Sequence, residues 1–362
     1  MQKTMWTSAA VLAAAIGLGA ISLWATAADS EAAAAANGDD AAASASDGGA
    51  TAKPAAPVKP RPSEIMPLTA SGLLLDVVNT GKHLIAIGDR GAVIVSNNGS
   101  DWAQVQTPVR SPLTALSFAN ENTGWVVGHD AVILKTTDGG KTWLMQNFQP
   151  EVEKPFLDVI ALDEHTVIAV GAYGLLYRTT DGGDTWSPLE APSIKADETH
   201  FNSITKLGNG ALLIVGEQGM LGYSADQGAS WEKIAPSPYD GSFYGAIPVG
   251  TEGALVFGLR GNAYKTDKLK GGTFTKVDTG TVSSFFGGTA LPDGSVVLVG
   301  LAGAVLKISP TGERSPLRVK VKGQDALGNN VEKDVTGSFS SATSFAGGIL
   351  VVGEQGVQSL KL

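Results

Sequence analysis

An all-β fold follows from three features of this sequence: 46 glycines in 362 residues, a short apolar-Gly-x-x-Gly unit that recurs along the chain, and turn residues that cut every apolar run short. So many residues free of φ restriction mean many turns, and many turns mean short strands. With 43% hydrophobic and 17% charged residues the chain can bury a large core, which excludes global disorder. It has no Cys, which removes disulfides, thiolate nucleophiles, Cys-ligated zinc and iron–sulfur clusters. A formal charge of -9 supplies no cationic surface for nucleic acid.

Three regions are expected. Residues 1–28 combine Lys3, an apolar stretch from Met5 to Ala25 and the small-x-small sequence Ala25-Thr26-Ala27, as in a secretory signal peptide. The same stretch, with Trp6 and Trp24 at its ends, is also long enough for an N-terminal membrane anchor, and both readings place the remainder outside the cytoplasm. Residues 29–62 are mostly Ala, Gly, Asp, Ser and Pro, so a disordered linker is expected, stiffer at Lys53-Pro54-Ala55-Ala56-Pro57. The folded region is residues 63–362.

Within it, Ile87-Gly88-Asp89-Arg90-Gly91, Val170-Gly171-Ala172-Tyr173-Gly174, Val215-Gly216-Glu217-Gln218-Gly219 and Val352-Gly353-Glu354-Gln355-Gly356 repeat one another. Weaker copies at Gly128, Gly258 and Gly300 bring the number to seven, with spacings of 40 to 45 residues and a last one of 53. That period matches one four-stranded blade, and seven such sheets stacked about an axis form a β-propeller. In the third unit Phe156–Leu162, Val167–Val170 and Leu175–Arg178 read as strands, with a fourth beginning at Trp186. The seventh unit ends one strand short, after Val357–Leu362. The segment Glu64-Ile65-Met66-Pro67 stands where an outer strand would be expected, so it is predicted to complete the last blade and close the ring.

Between the third and fourth strands stands Thr136-Thr137-Asp138-Gly139-Gly140-Lys141-Thr142-Trp143, repeated at Thr179–Trp186 and Ser224–Trp231, with imperfect copies at Ser96–Trp102 and Thr266–Phe274. This is the pattern of the Asp box, or bacterial neuraminidase repeat. The carboxylate can accept N–H bonds of its own turn, Gly supplies positive φ and Trp covers the hairpin. A carboxylate so engaged is held in its charged form and makes a poor general acid.

Seven such units behind an export signal resemble the photosystem II stability/assembly factor family of seven-bladed propellers over residues 63–362. The resemblance implies a non-enzymatic lumenal or periplasmic factor that holds a membrane-protein subunit during complex assembly. Relatives in other bacteria are implied to have envelope roles, some beside resistance-nodulation-division type exporters. Photosynthetic members carry an arginine-rich patch, whereas residues 63–362 hold six Arg, so the expected client is another envelope protein and the chain a non-photosynthetic relative.

The alternative is a sialidase-like or other Asp-box glycosidase, which needs an arginine cluster, an activated nucleophile and an acid of raised pKa. No Phe/Tyr-Arg-Ile-Pro sequence precedes the first unit, and Tyr177-Arg178 reads as strand. His83, His129, His165 and His200 follow no metal-ligand spacing and read as solvated loop residues. Each Gly-x-x-Gly turn leads into another strand, so none is a phosphate loop, and no metal or cofactor is expected.

Strand order places the seven Gly-x-x-Gly turns on one face, together with the linkers between blades. The expected binding residues are therefore Arg90, His129, Asp130, Tyr173, Glu217, Gln218, Arg260, Glu354 and Gln355, varied side chains on a repeated frame. The linkers Pro150–Pro155 and Ser309–Thr336, the latter containing a candidate hairpin, are further contacts.

Overall fold

The computed structural model describes residues 58–324 and 330–362. The signal or anchor at 1–28 and most of the linker at 29–62 lie outside the described residues. Among the described residues, no helix is long and apolar enough to cross a membrane.

Seven antiparallel sheets follow one another in chain order, making a seven-bladed β-propeller. Six blades have four strands each, running from the axis to the rim. The third shows why these residues build a blade: Phe156–Ala161, Val167–Gly171, Leu176–Thr179 and Ser187–Pro188 are short and separated by turn residues. The second strand, fully buried along its length, is sandwiched between neighbours on both sides. The core is accordingly divided among the spaces between blades, as in the cluster of Ile168, Val170, Phe201, Ile214 and Trp231 between blades three and four.

The innermost strands share one irregularity. They are Leu74–Asn79, Leu113–Phe118, Phe156–Ala161, Phe201–Lys206, Phe243–Val249, Phe285–Ala290 and Phe339–Phe345. In every one the register against the second strand slips between its first and third residues, a β-bulge. The first residue enters the core, fully buried, while the next two line the axial channel.

The bulge explains the first glycine of each repeat. The carbonyl just before the inner strand accepts the N–H of the residue after that glycine, as in Asp89 N–H to Leu73 (3.2 Å), Ala172 to Pro155 (3.0 Å) and Leu301 to Ser284 (2.9 Å). A Cβ on Gly88, Gly128, Gly171, Gly216, Gly258, Gly300 or Gly353 would overlap that same oxygen. Glycine is required at these positions by the close approach of two backbones.

Closure differs from the sequence expectation. Among the described residues the seventh blade has three strands, Phe339–Phe345, Gly348–Gly353 and Gly356–Lys361. Glu64-Ile65-Met66-Pro67 forms no strand on it and instead lies against the outer strand of blade one. There Ser63 N–H meets Thr107 O (2.9 Å), and Gln104 donates to Glu64 O (2.8 Å) and accepts Met66 N–H (2.7 Å). Pro62 and Pro67 at its ends lack the N–H groups a ladder needs, and the Gln104 amide brackets what remains. Blades one and seven close the ring by face packing, with Ser340 Oγ donating to Leu74 O (2.9 Å) and Asn79 Nδ2 to Ser344 O (3.1 Å). The hairpin expected in the last linker is present, Lys320–Gln324 paired with Asn330–Asp334.

Ser340 is buried and satisfies both Leu74 O and Val352 O. Ser340→Ala is expected to cost about 1–3 kcal/mol in urea unfolding, because it removes the donor to two buried carbonyls at the closing junction.

Candidate protein-docking face

The turns of the first six blades hold their second x residue in the left-handed region: Arg90 (φ 55°), Asp130 (59°), Tyr173 (53°), Gln218 (52°), Arg260 (55°) and Ala302 (55°), whereas in blade seven Gly353 pairs directly with Gly356 across Glu354 and Gln355. The linkers then lock the turns from the side. Gly174 N–H bonds Thr199 O (2.9 Å), Gly219 N–H bonds Gly241 O (2.8 Å) and Gln149 N–H bonds Asp130 O (2.8 Å). The linker hydroxyls of Thr107 and Thr279 donate to Gly91 O (2.8 Å) and Gly261 O (2.7 Å). Turns and linkers thus share one face, with the x residues displayed on a braced frame.

The face is divided into patches. Between blades three and four, half-exposed Tyr173 meets His200 edge-on (4.6 Å, 78°), and Lys154 lies 5.6 Å over its ring. Glu217 sits 3.7 Å from His200 Nδ1 and accepts the His200 N–H (3.2 Å), with exposed Gln218 alongside. Between blades one and two, Ser111 donates to Asp130, and burial pulls the His129 pKa below its ordinary value against the opposing charges of Asp130 and Asp89. Arg90 is exposed, 3.7 Å from Asp89. Farther round, Arg260 is exposed, and its charge acts on Tyr239, which stacks on Tyr264 (6.1 Å). In the last blade Glu354 accepts Ser338 N–H (3.1 Å), while Gln355 is exposed beside it.

Seven of the nine sequence-selected residues occupy turns of one geometry and Glu354 and Gln355 a tighter hairpin turn, and together they form several groups. Three of the four histidines depart from the solvated reading, His83 being half-buried with its Nδ1 2.6 Å from Asn97 Oδ1 and its Nε2 buried without a hydrogen bond. The linkers fold over His129 and His200 and half-bury both, leaving the His129 Nε2 and His200 Nδ1 atoms buried without hydrogen bonds. Lys154 belongs to the linker Pro150–Pro155 expected as a further contact, whereas Tyr239 escaped sequence reasoning because it lies in a linker outside the repeat.

The axial channel holds a second group that was missed. A cavity of about 180 Å³ is lined by second and third inner-strand residues, including Asp76, Asp158, Asn202, Ser203 and Ser341. Asp76 accepts Val77 N–H (2.8 Å) and, from blade two, Leu116 N–H (3.0 Å). Asp158 accepts Val159 N–H (2.7 Å) and, from blade four, Ile204 N–H (2.8 Å). Each carboxylate brackets its blade to the next. Burial pushes Asp76 up to about 6, against hydrogen bonds from Ser341 and those two amides. Burial likewise pushes Asp158 up to about 7, against bonds from Ile204 and Ser203, with the charge of Asp76 adding to the rise. The repeated Leu-Asp-Val of residues 75–77 and 157–159 was the available signal.

The carboxylates of the turns before the outer strands behave oppositely. Asp138 accepts the Thr136 and Thr142 hydroxyls (2.9 and 2.6 Å) and the Lys141 and Thr142 amides (3.0 and 2.9 Å). Equivalent bonds, led by the Ser230 hydroxyl, hold Asp226 down at about 2. Among the described residues, no group of three or more His, Cys, Asp or Glu could hold a metal ion.

The family model described as photosynthesis system II assembly factor YCF48 matches residues 94–154 and 145–315. The chain is 33% identical over 88 residues to the chloroplastic photosystem II stability/assembly factor HCF136 of Cyanidioschyzon merolae, covering 22% of this chain and 20% of that protein. It is 38% identical over 42 residues to the photosystem II assembly protein Ycf48 of Thermosynechococcus vestitus, covering 12% of each. These alignments span a fifth or less of the curated relatives. Among solved structures, YCF48 bound to D1 peptide superposes with a TM-score of 0.61 at 18% identity, over 81% of this chain and 94% of that one. A glycoside hydrolase 74 xyloglucanase from Xanthomonas campestris gives 0.62 at 13% identity, over 80% of this chain and 52% of that one, a likeness of fold alone.

Two tests follow from the contrasting carboxylates. Asp76 and Asp158 bind protons more tightly in the folded than the unfolded chain, so stability is expected to fall as pH rises from about 4 to about 7. Asp76→Asn and Asp158→Asn, which do not titrate, are expected to flatten that slope in melting curves. Asp138→Ala is expected to lower the melting temperature at pH 7, whereas Thr137→Ala, an exposed neighbour, leaves it unchanged.

Proposed function

This chain belongs to the photosynthesis system II assembly factor YCF48 family, and from that premise we propose that it is a non-enzymatic assembly or stability factor that docks another protein on its Gly-x-x-Gly face. The observation that carries this reading is Tyr173: a half-exposed aromatic held by His200 and Lys154 on a braced turn, an anchor whose ordering cost is already met. Around it stand Glu217 and Gln218, and Arg90, Asp130 and Arg260 differ in charge and shape on turns of the same geometry, with Glu354 and Gln355 on the tighter turn of blade seven. A protein partner is also supported by the family member solved with a D1 peptide.

The client we propose is a membrane or periplasmic protein of the cell envelope, a resistance-nodulation-division type exporter being one such client. The apolar stretch Met5–Ala25 and the small residues after it support export, followed either by cleavage or by retention of an N-terminal anchor. Against glycoside hydrolysis stands the employment of the carboxylates. Those of the outer turns are held charged by their own turns, and the axial pair is engaged between blades.

The test is crosslinking in cells followed by identification of partners, with Tyr173→Ala and Lys154→Glu beside Leu144→Ala, an exposed outer-strand control. The first two are expected to reduce recovery of a recurrent envelope partner about tenfold, a loss typical of a central aromatic anchor, while the control leaves it unchanged. Turnover of xyloglucan or fluorogenic sialosides by the purified protein contradicts the reading.

A further inference from the structure

We propose that the outer edge of the seventh blade is a second docking site, which accepts an extended segment of a partner polypeptide as a fourth strand. The first six blades each place a short outer strand beside their third strand. The seventh has none among the described residues, so Gly356–Lys361 is left as an edge. In blades one, two, four, five and six the third strand is buried at both ends and beside its first residue, with one half-buried position. In blade seven only Gly356 is buried, while Ser359 and Lys361 are exposed. The strand is also longer, six residues against four. A row of unpaired backbone groups on a rigid sheet is a template for strand addition.

The apolar surroundings reinforce this. The start of the edge strand lies against the short helical turn Thr69–Ser71, where Ala70 and Val357 share one cluster. The residues leading into that turn expose Ile65 (59%), Met66 (42%) and Leu68 (76%). Ile65 and Met66 were expected to belong to the closing strand. The segment is held instead on blade one by Gln104, and its exposed apolar side chains lead into the turn that meets the start of the edge strand.

The chain's own outer strands define the occupant. They run antiparallel to the third strand, and in blades one, two and four they follow a tryptophan whose indole N–H bonds a turn carbonyl, as Trp143 does to Gly140 O (3.1 Å). The partner segment therefore has an aromatic residue followed by three or four extended residues with strand propensity. Residues 29–57 do not fit, since they contain no Val, Ile, Phe, Tyr or Trp. This site lies on the rim, apart from the turn face, and stands whether or not that face docks a client.

The test uses the full chain and a fluorescein-labelled peptide reproducing residues 141–148, the blade-two outer strand with its tryptophan. Saturable binding by anisotropy is expected, with slowed hydrogen exchange at the amides of residues 357–361. Ile65→Ser combined with Met66→Ser and Leu68→Ser is expected to weaken binding about tenfold, and Tyr173→Ala to leave it unchanged, which separates this site from the turn face. Absence of saturable binding overturns the proposal. So does protection of residues 357–361 in the free chain, whether a photocrosslinker at Ser359 then captures residues 1–57 or a second copy.

Discussion

The contact on which the molecule depends is a backbone one: the carbonyl entering each inner strand sits against the first glycine of the turn between second and third strands. Repeated seven times, it joins the entry of every blade to the turn beside it. It requires the bulge, the bulge turns two successive side chains toward the axis, and the channel is lined as a result. It also anchors the turn whose x residues face outward. Channel and turn face are therefore two outcomes of one local geometry, which is why the glycines repeat while the residues between them vary.

Charge is distributed according to the same geometry. At the outer turns, Asp138, Asp181 and Asp226 receive hydroxyl and amide donors from their own loops and stay ionised. At the axis, Asp76 and Asp158 receive amides from the next blade, inside a narrow channel that disfavours their charge. The inner ring is continued by polar side chains elsewhere: Thr114 donates to Phe156 O (2.8 Å), Asn202 to Phe243 O (2.8 Å) and Ser340 to Leu74 O (2.9 Å). Polar groups near the axis thus fix one blade against the next, leaving the turn face as the surface where side chains vary without cost to the frame.

Much of this was legible in the sequence because blade structure is local. The Gly-x-x-Gly spacing marked seven blades, and in blade three the expected strands agree with the observed ones to within a residue at most ends. The turns before five of the six outer strands were also readable, including Ser96–Trp102, where Asn98 takes the Asp position and accepts the amides of Ser100 and Asp101 (both 2.9 Å), whereas Arg314–Leu317, expected as part of the last linker, is the outer strand of blade six. What failed was long-range. Glu64–Pro67 has the composition of a strand, but its partner is chosen by Gln104, far along the chain. His200 reads as a loop histidine until Tyr173 and Glu217 arrive from two neighbouring turns. The axial carboxylates were hidden because their function is to reach another blade, although the duplicated Leu-Asp-Val pointed to them.

The most direct measurement is the unfolding free energy of Gly216→Ala beside Gly222→Ala, both monitored in urea. The added Cβ at position 216 meets the His200 carbonyl, which cannot yield without shifting the strand entry, whereas at position 222 the nearest atom is the Ile194 Cγ2 at 3.3 Å. A loss of about 2 kcal/mol or more at Gly216, clearly exceeding that at Gly222, is the expected result. Equal and small losses at the two positions would show that the repeated glycine contact does not organise the blades, and would contradict the account.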